Sequence, residues 1–267
     1  MGLSECLTLL ARRHLDESVN MVHIVNMVHV VTDPPRRTVE ERREERIGQI
    51  LDRAMEIIEN EGEGALTLQR LAGSLGMVTT ALYRYFSSKD ALMAALQRRA
   101  IGVVQKHFQA RMGAVAGGLS TTAPPTAAIV LLLSIADLYL ELPRTHPDSF
   151  RFIAVLLGDP RPLLSDEEAT RTAPLLEGFL RDMAALFEQA AHVGALARGS
   201  ASARVIAYWS ALHGAHAMEK ARRISSDVPS VLEIGRFTAR SLLQSWGCTP
   251  RRLGAAQRLC GEAGLGD

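Results

Sequence analysis

Apolar side chains recur at three- and four-residue intervals in residues 66–92, and this spacing predicts two short helices joined by a tight turn. The first helix carries its apolar residues on one face and ends at Gly76, the residue type that closes helices in a left-handed conformation. Only two residues later a second pattern begins at Thr79, in which Leu82 and Phe86 lie one turn apart. Two short helices with so brief a connection are typical of a helix-turn-helix.

Helical periodicity also flanks this segment on both sides. Upstream, Thr38 and Glu41 have the spacing of a capping box, which predicts that a helix starts there. Downstream, Ser87 and Asp90 form a similar start, which predicts a connecting helix of about twenty residues. The Gly-, Ala-, Thr- and Pro-rich stretch at 113–125 is then expected to be the loop that ends this helix.

Further helical patterns, separated by breaks rich in proline or glycine, continue to residue 246. Pro174 interrupts one of them, so that helix is expected either to start near Thr172 or to be kinked. Because aromatic residues are few and no stretch alternates for long as a strand would, the sequence predicts an all-α fold. The expected helices cover about 126–142, 148–158, 167–192, 202–223 and 228–246.

Composition and charge narrow the class of protein. The 267-residue chain is 47% apolar, which suffices for a core, and its formal charge of +1 provides no bulk attraction to nucleic acid. The widely spaced Cys6, Cys248 and Cys260 fit neither a disulfide framework nor a metal site, and no run of about 18 apolar residues suggests a membrane span. His23 and His29 are six residues apart in a tandem repeat and do not share a helical face. We therefore expect a cytoplasmic protein that holds no metal or other cofactor and binds no membrane.

The second helix of the pair is polar where a helix that enters the major groove must be polar. Its sequence is Leu-Tyr-Arg-Tyr-Phe at 82–86, followed by Ser-Lys-Asp-Ala-Leu at 88–92, and Leu-Thr and Leu-Ala precede it at 66–67 and 71–72. This combination closely resembles the DNA-binding domain of TetR-family transcriptional regulators. The resemblance implies that the residues facing DNA are Thr67, Gln69, Thr79, Thr80, Tyr83, Arg84, Tyr85 and Lys89.

Two features of this segment leave alternatives open. Tyr83 and Tyr85 have hydroxyl groups that suit phosphate oxygens, but either ring could instead pack against the core. The family commonly opens its recognition helix with a capping residue, whereas this chain has Val78, which cannot accept a hydrogen bond from the helix amides. The exact start of the helix, and which of Thr79 and Thr80 faces the bases, therefore stay open.

Trp209, His213 and Gly214 resemble the Trp-x3-His-Gly motif of one C-terminal subclass of the TetR family, often called the WHG type. Trp209 and His213 lie one turn apart, and we interpret them first as packing residues and second as part of a ligand pocket. Candidate pocket residues, chosen because aromatic, Met and His side chains line mostly apolar pockets, are Tyr139, Phe150, Phe152, Phe179, Met183, Trp209, His213 and His216. The last two helices of the family pair with those of a second subunit, and the candidate dimer contacts are Ala211, Gly214, Ala215, Phe237, Leu242 and Leu243.

The resemblance implies a four-part organisation. Residues 1–35 would form a loosely ordered extension, 36–88 a three-helix DNA-binding domain, 89–247 a helical ligand-binding and dimerisation domain, and 248–267 a C-terminal tail. The favoured function is a ligand-responsive repressor that binds a palindromic operator as a homodimer and is released by an unidentified small molecule. One alternative is an architectural DNA binder without an effector. An enzyme is disfavoured, because the sequence has no nucleophile elbow, phosphate loop, zinc spacing or paired carboxylates, so no catalytic residue is assigned.

Overall fold

The computed structural model describes residues 38–158, 164–222, 224–225 and 227–262, so the expectation for residues 1–35 lies outside the described part. The described residues from Arg43 onward belong to one compact unit. The described residues are helical and contain no strand, which confirms the all-α prediction. The helices are α1 (Val39–Glu61), α2 (Leu68–Ser74), α3 (Thr79–Leu82), α4 (Lys89–Gly118), α5 (Pro124–Thr145), α6 (Pro147–Gly158), α7 (Asp166–His192), α8 (Ala201–Ala217), α9 (Glu219–Arg222), α10 (Val231–Ser245) and α11 (Pro250–Glu262).

The first turn of α1 contains the predicted capping box. The amide of Thr38 donates to Oε2 of Glu41 at 2.7 Å, and the amide of Glu41 donates to Oγ1 of Thr38 at 3.1 Å. Each bond satisfies an amide that has no partner within the helix, which is why this residue pair starts a helix.

One hydrophobic core holds α2 and α3 against the later part of α1 and the start of α4. Ile50, Leu71 and Leu82 are fully buried in it, and Leu92 and Leu96 of α4 join them. The helix-turn-helix is therefore fixed to the N-terminal half of α4 by apolar packing.

A second core surrounds α5, which is buried along most of its length. By length and composition α5 could span a membrane, with a mean hydropathy of 1.7, but 72% of that stretch is buried inside the fold. The expectation that the chain lacks such an apolar run was therefore wrong for α5. Its burial among other helices is what a central core helix requires.

The structure corrects the predicted bounds of α4. The side chain that caps it belongs to Ser88, whose Oγ accepts from the amide of Ala91 at 3.0 Å, and not to Ser87. The helix is also longer than predicted and continues through Gly113 to Gly118. An interior glycine costs a helix only about 1 kcal/mol, and burial of Met112 on the same turn offsets that cost.

Two further helices differ from expectation. Helix α7 starts at Asp166, with Ser165 as its cap, so the expected late start at Thr172 was wrong and Pro174 lies inside the helix. The segment expected to be a C-terminal tail contains α11, which packs against α5 through its buried residues Leu253, Ala256 and Cys260.

A glycine at the crossing of α10 and α5 provides a test of this packing. A Cβ added to Gly235 would lie 2.4 Å from Cδ2 of Leu140, a buried side chain with little room to move. We expect Gly235→Ala to lower the free energy of unfolding by about 1–3 kcal/mol, as overpacked core changes do. Urea denaturation checks this, with Gly113→Ala as the matched helical control because a Cβ there meets no atom within 4 Å. Equal stability of the two variants would contradict the packing described.

Candidate DNA-binding surface and ligand cavity

The turn of the helix-turn-helix depends on the predicted glycine. Gly76 has φ of 64°, a conformation that costs other residues roughly 1–2 kcal/mol. Its amide donates to the carbonyl of Gly73 at 3.1 Å, and the amide of Met77 donates to the carbonyl of Ala72 at 2.9 Å. These two bonds form a Schellman motif, which ends α2 and sends the chain directly into α3.

Helix α3 starts at Thr79 and has no side-chain cap, which settles the start that the sequence left open. Val78 is the capping residue, is extended with φ of −78° and ψ of 146°, and makes no capping hydrogen bond. After one α-helical turn the chain continues through hydrogen-bonded turns to Phe86, whose amide donates to the carbonyl of Leu82 at 3.1 Å. Because Leu82 and Phe86 are buried, this short segment is held by its apolar side.

The residues predicted to face DNA fall into two groups. Thr80, Tyr83 and Arg84 are exposed, and Tyr83 has 52% of its surface accessible. Tyr85 is only partly accessible and packs against the core of the domain. The sequence left open whether each tyrosine contacts DNA or packs against the core. The structure leaves the Tyr83 side chain accessible, whereas the Tyr85 side chain packs mainly against the core.

The other predicted contacts lie around this surface. Thr79 and Lys89 are partly buried, and Gln69 is exposed on α2. Thr67 caps α2 by accepting a hydrogen bond from the amide of Arg70 at 3.1 Å, so its hydroxyl has a structural role. Their assignment to DNA stays a prediction.

Sequence reasoning missed a possible contribution from Val78. Its side chain is 69% exposed at the start of α3, immediately before Thr79. Apolar side chains at this place in a groove-reading helix can contact the methyl group of thymine. Val78 is therefore an exposed apolar side chain on the surface predicted to face DNA.

A cavity of about 50 Å³ lies within the second core, between α4, α5, α7 and α8. Tyr139, Phe179, Met183 and Trp209, all predicted pocket residues, line it. The remaining lining residues are aliphatic or aromatic: Ile101, Val104, Phe108, Ile135, Leu138, Ile153, Leu176, Leu180, Phe187, Val205, Tyr208 and Leu212.

Both tyrosine hydroxyls of this cavity already have partners. The hydroxyl of Tyr208 donates to the carbonyl of Leu132 at 2.9 Å, and that of Tyr139 lies 2.9 Å from Nδ1 of His213. Burial raises the pKa of both tyrosines, so both are neutral. A charged ligand would be costly here, because none of the described lining residues is charged.

The other predicted pocket residues do not line the cavity. Phe150, His213 and His216 cluster beside it around Tyr139, and the rings of Phe150 and His216 are 4.6 Å apart. Phe152 belongs to the core of the DNA-binding domain and is 5% exposed. Its prediction as a cavity residue is not supported by this position.

The histidines of this cluster predict how stability depends on pH. Burial lowers the pKa of His213 and of His216 below the usual value, so the folded state binds fewer protons than the unfolded state. Stability is therefore complete above the unfolded pKa of about 6.5 and decreases as pH falls below it. We expect the melting temperature to drop between pH 7 and 5.5, and to drop less in a His213→Gln/His216→Gln variant. The same drop in both proteins would contradict this assignment.

Some of the predicted dimer contacts are exposed and others are buried within the chain. Phe237 is 64% exposed on α10 and Gly214 is exposed on α8, whereas Ala215 and Leu243 are buried in the core of their own chain. Ala211 and Leu242 are partly buried. Ile206, which the sequence analysis did not identify, is 47% exposed on α8. Exposed apolar residues on α8 and α10 therefore mark the surface available to a second subunit.

Across the described ranges, no group of three or more His, Cys, Asp or Glu side chains is arranged to hold a metal ion.

Comparison with known proteins places these features in context. Residues 50–96, which include the helix-turn-helix, match the sequence model of the bacterial regulatory proteins of the tetR family. The nucleoid occlusion factor SlmA of Actinobacillus pleuropneumoniae is 27% identical over 153 residues, which are 57% of this chain and 67% of SlmA.

Solved structures share the fold at low sequence identity. A protein of unknown function from Rhodococcus sp. RHA1 has a TM-score of 0.55 at 16% identity, covering 80% of this chain and 98% of that one. RolR in complex with resorcinol has a TM-score of 0.53 at 14% identity, covering 82% of this chain and 94% of RolR.

Proposed function

We propose that the chain is a ligand-responsive repressor of the TetR family, whose sequence model matches its helix-turn-helix at residues 50–96. In this proposal a homodimer binds a palindromic operator, with one α3 in each half-site. A small molecule in the apolar cavity then releases the protein from DNA.

The observation that carries this proposal is the position of α4. Its N-terminal residues Leu92 and Leu96 belong to the core that holds the helix-turn-helix. One to three turns further along, Ile101, Val104 and Phe108 line the cavity. A single helix thus contacts both the DNA-reading domain and the place where a ligand would bind, so a shift of α4 changes both.

An ion-pair network connects the same helix to α7. Nη1 of Arg98 lies 2.6 Å from Oε2 of Glu168, a carboxylate that is almost completely buried, and Arg171 contacts the other oxygen at 2.8 Å. Helix α7 also lines the cavity. Movement of α7 by a ligand would therefore be transmitted to α4 through a buried charge that is costly to unpair.

The effector must bind one arrangement of the two α3 helices of the dimer more tightly than the other. A ligand weakens operator binding only by the difference between its affinities for the DNA-bound and released arrangements. The cavity suits a small neutral molecule with an aromatic or aliphatic body, because its lining is apolar and its hydroxyls have partners.

Filling the cavity tests the effector part of the proposal. We expect a panel of small neutral aromatics, with resorcinol, phenol and indole as probes, to include a compound that raises the melting temperature and releases operator DNA. Val205→Phe places a ring into the cavity from α8 and should abolish both effects while operator binding persists. Val231→Phe, at the start of α10 and outside the cavity lining, is the control. A compound that acts equally on the Val205→Phe protein would contradict binding in this cavity.

Selection of binding sites from random DNA tests the dimeric operator. We expect enrichment of an inverted repeat whose half-sites are spaced by whole helical turns. Enrichment of a single asymmetric half-site would contradict the dimer, and the absence of any enriched sequence would contradict specific recognition.

The similarity to SlmA favours a second candidate function, DNA binding in nucleoid organisation without a small-molecule effector. The two functions differ in the number and distribution of chromosomal sites. A regulator released by a ligand should occupy few sites near promoters and leave them when the effector is added. Many sites spread over the chromosome, unchanged by any cavity-binding compound, would favour the second function.

A further inference from the structure

A second cleft, separate from the apolar cavity, lies between α5, α10 and α11 and has a volume of about 230 Å³. Its floor is apolar and buried, formed by Leu133, Ala136 and Ala239. Its walls carry Asp137, Arg236, Arg240 and Gln257. Residues from all three helices line the cleft, so no local sequence pattern could reveal it.

One arginine of the cleft lacks a counter-charge among the described residues. Nε of Arg236 donates to Oδ1 of Asp137 at 2.8 Å, and Asp137 is only 6% exposed. Arg240 lines the same cleft but makes no hydrogen bond or ion pair with any part of the chain that the structure describes. Its guanidinium is therefore the charged group that is left for a ligand.

The sign of this charge is the same at all pH values near neutrality. Arginine stays protonated throughout this range. Burial raises the pKa of Cys260 to about 11, so this lining thiol is neutral and adds no negative charge. Burial also raises the pKa of Asp137, and its protonation would only make the cleft more positive.

We propose that this cleft is a second ligand site that binds a small aliphatic monocarboxylate. The guanidinium of Arg240 binds the carboxylate, the amide of Gln257 donates a further hydrogen bond, and the alkyl chain covers Leu133 and Ala239. The planar fork of arginine fits two carboxylate oxygens at once. A cleft of about 230 Å³ has room for a short-chain acid.

The same charges select against a dianion. Asp137 lies in the wall beside the two arginines, so a second negative charge on the ligand would meet the carboxylate of Asp137. Inorganic phosphate is therefore expected to bind more weakly than a monocarboxylate, although both fit an arginine fork. This site is independent of the operator and of the apolar cavity.

Calorimetric titration of the full chain tests the site, with butyrate as the probe, at constant ionic strength. Butyramide has the same shape without the charge and should bind at least about tenfold more weakly, as should butyrate with the Arg240→Gln protein, because a charge-assisted hydrogen bond is lost. Arg240→Gln should fold normally, since Arg240 has no partner among the described residues. Arg258→Gln removes an exposed arginine on α11 outside the cleft lining and should leave butyrate binding unchanged.

Three results would overturn the proposal. Equal binding of butyrate and butyramide would show that the charge of Arg240 is not used. Equal weakening by Arg240→Gln and Arg258→Gln would show attraction to bulk charge only. Phosphate that binds as tightly as butyrate would show a general anion site without the selection that Asp137 predicts.

Discussion

Replacing Tyr83 and Arg84 together by alanine is expected to reduce operator affinity roughly 1,000-fold without unfolding the protein. Both side chains are exposed on the segment that follows the first turn of α3. A dimer presents each of them twice, so four contacts are lost, and about 1 kcal/mol for each gives this factor. Fluorescence anisotropy with operator DNA at a fixed, moderate salt concentration measures the change.

Two controls separate this effect from loss of structure or of charge. Because Tyr83 and Arg84 are accessible, the free energy of unfolding in urea should change by less than about 0.5 kcal/mol. Arg181→Ala removes an exposed arginine from α7, far along the chain from α3, and should leave operator affinity almost unchanged. Operator binding that survives the Tyr83/Arg84 change would show that this is not the reading face.

Placing charges on the exposed apolar surface of α8 and α10 is expected to produce monomers that no longer bind the operator. Ile206 and Phe237 are 47% and 64% exposed, unusually accessible for large apolar side chains on long helices. In a two-fold interface each substitution occurs twice, so Ile206→Glu with Phe237→Glu brings like charges together and removes apolar burial. Light scattering after size-exclusion chromatography measures the mass, and anisotropy measures the loss of DNA binding.

A matched apolar-to-acidic change identifies effects that do not depend on the interface. Ile224 is 89% exposed and lies outside both α8 and α10, so Ile224→Glu should remain dimeric and bind DNA. If the Ile206/Phe237 variant stays dimeric, the interface lies elsewhere. If it is monomeric but binds the operator as tightly as the original protein, the dimeric mode of recognition is wrong.

The parts of the fold that the sequence predicted correctly are those determined by local chemistry. The capping box of Thr38 and Glu41 and the left-handed Gly76 each require only a few neighbouring residues, and both are present as expected. The start of α3 is a contrast: the sequence showed that Val78 has no group to accept a hydrogen bond, but it left open where the helix begins.

The errors occurred where tertiary contacts outweigh local signals. Helix α4 continues through Gly113 because its neighbours are buried, and α11 forms because Leu253 and Ala256 pack against α5. Composition alone favoured a loop and a tail in these places. Phe152 shows the same limit: periodicity indicates that it is buried, but not in which of the two cores.

The residues of the candidate sites could likewise be predicted only in part. Four of the residues chosen by their type line the apolar cavity, among them Tyr139 and Trp209, and their contact with a ligand stays a prediction. Residue type did not indicate the aliphatic residues of α4 that line the cavity, such as Val104, because such residues are ordinary in any core. The cleft around Arg240 could not be predicted, because no local sequence pattern shows that α10 and α11 both pack against α5.

The most direct test of the central claim is binding of the purified full-length protein to the intergenic DNA beside its own gene, measured against salt concentration with excess non-specific competitor. Specific recognition by paired α3 segments predicts tight binding that resists the competitor and weakens steeply as salt increases, because several phosphates are contacted in each half-site. Weak binding that any DNA displaces equally well would contradict the account of this chain as an operator-specific regulator.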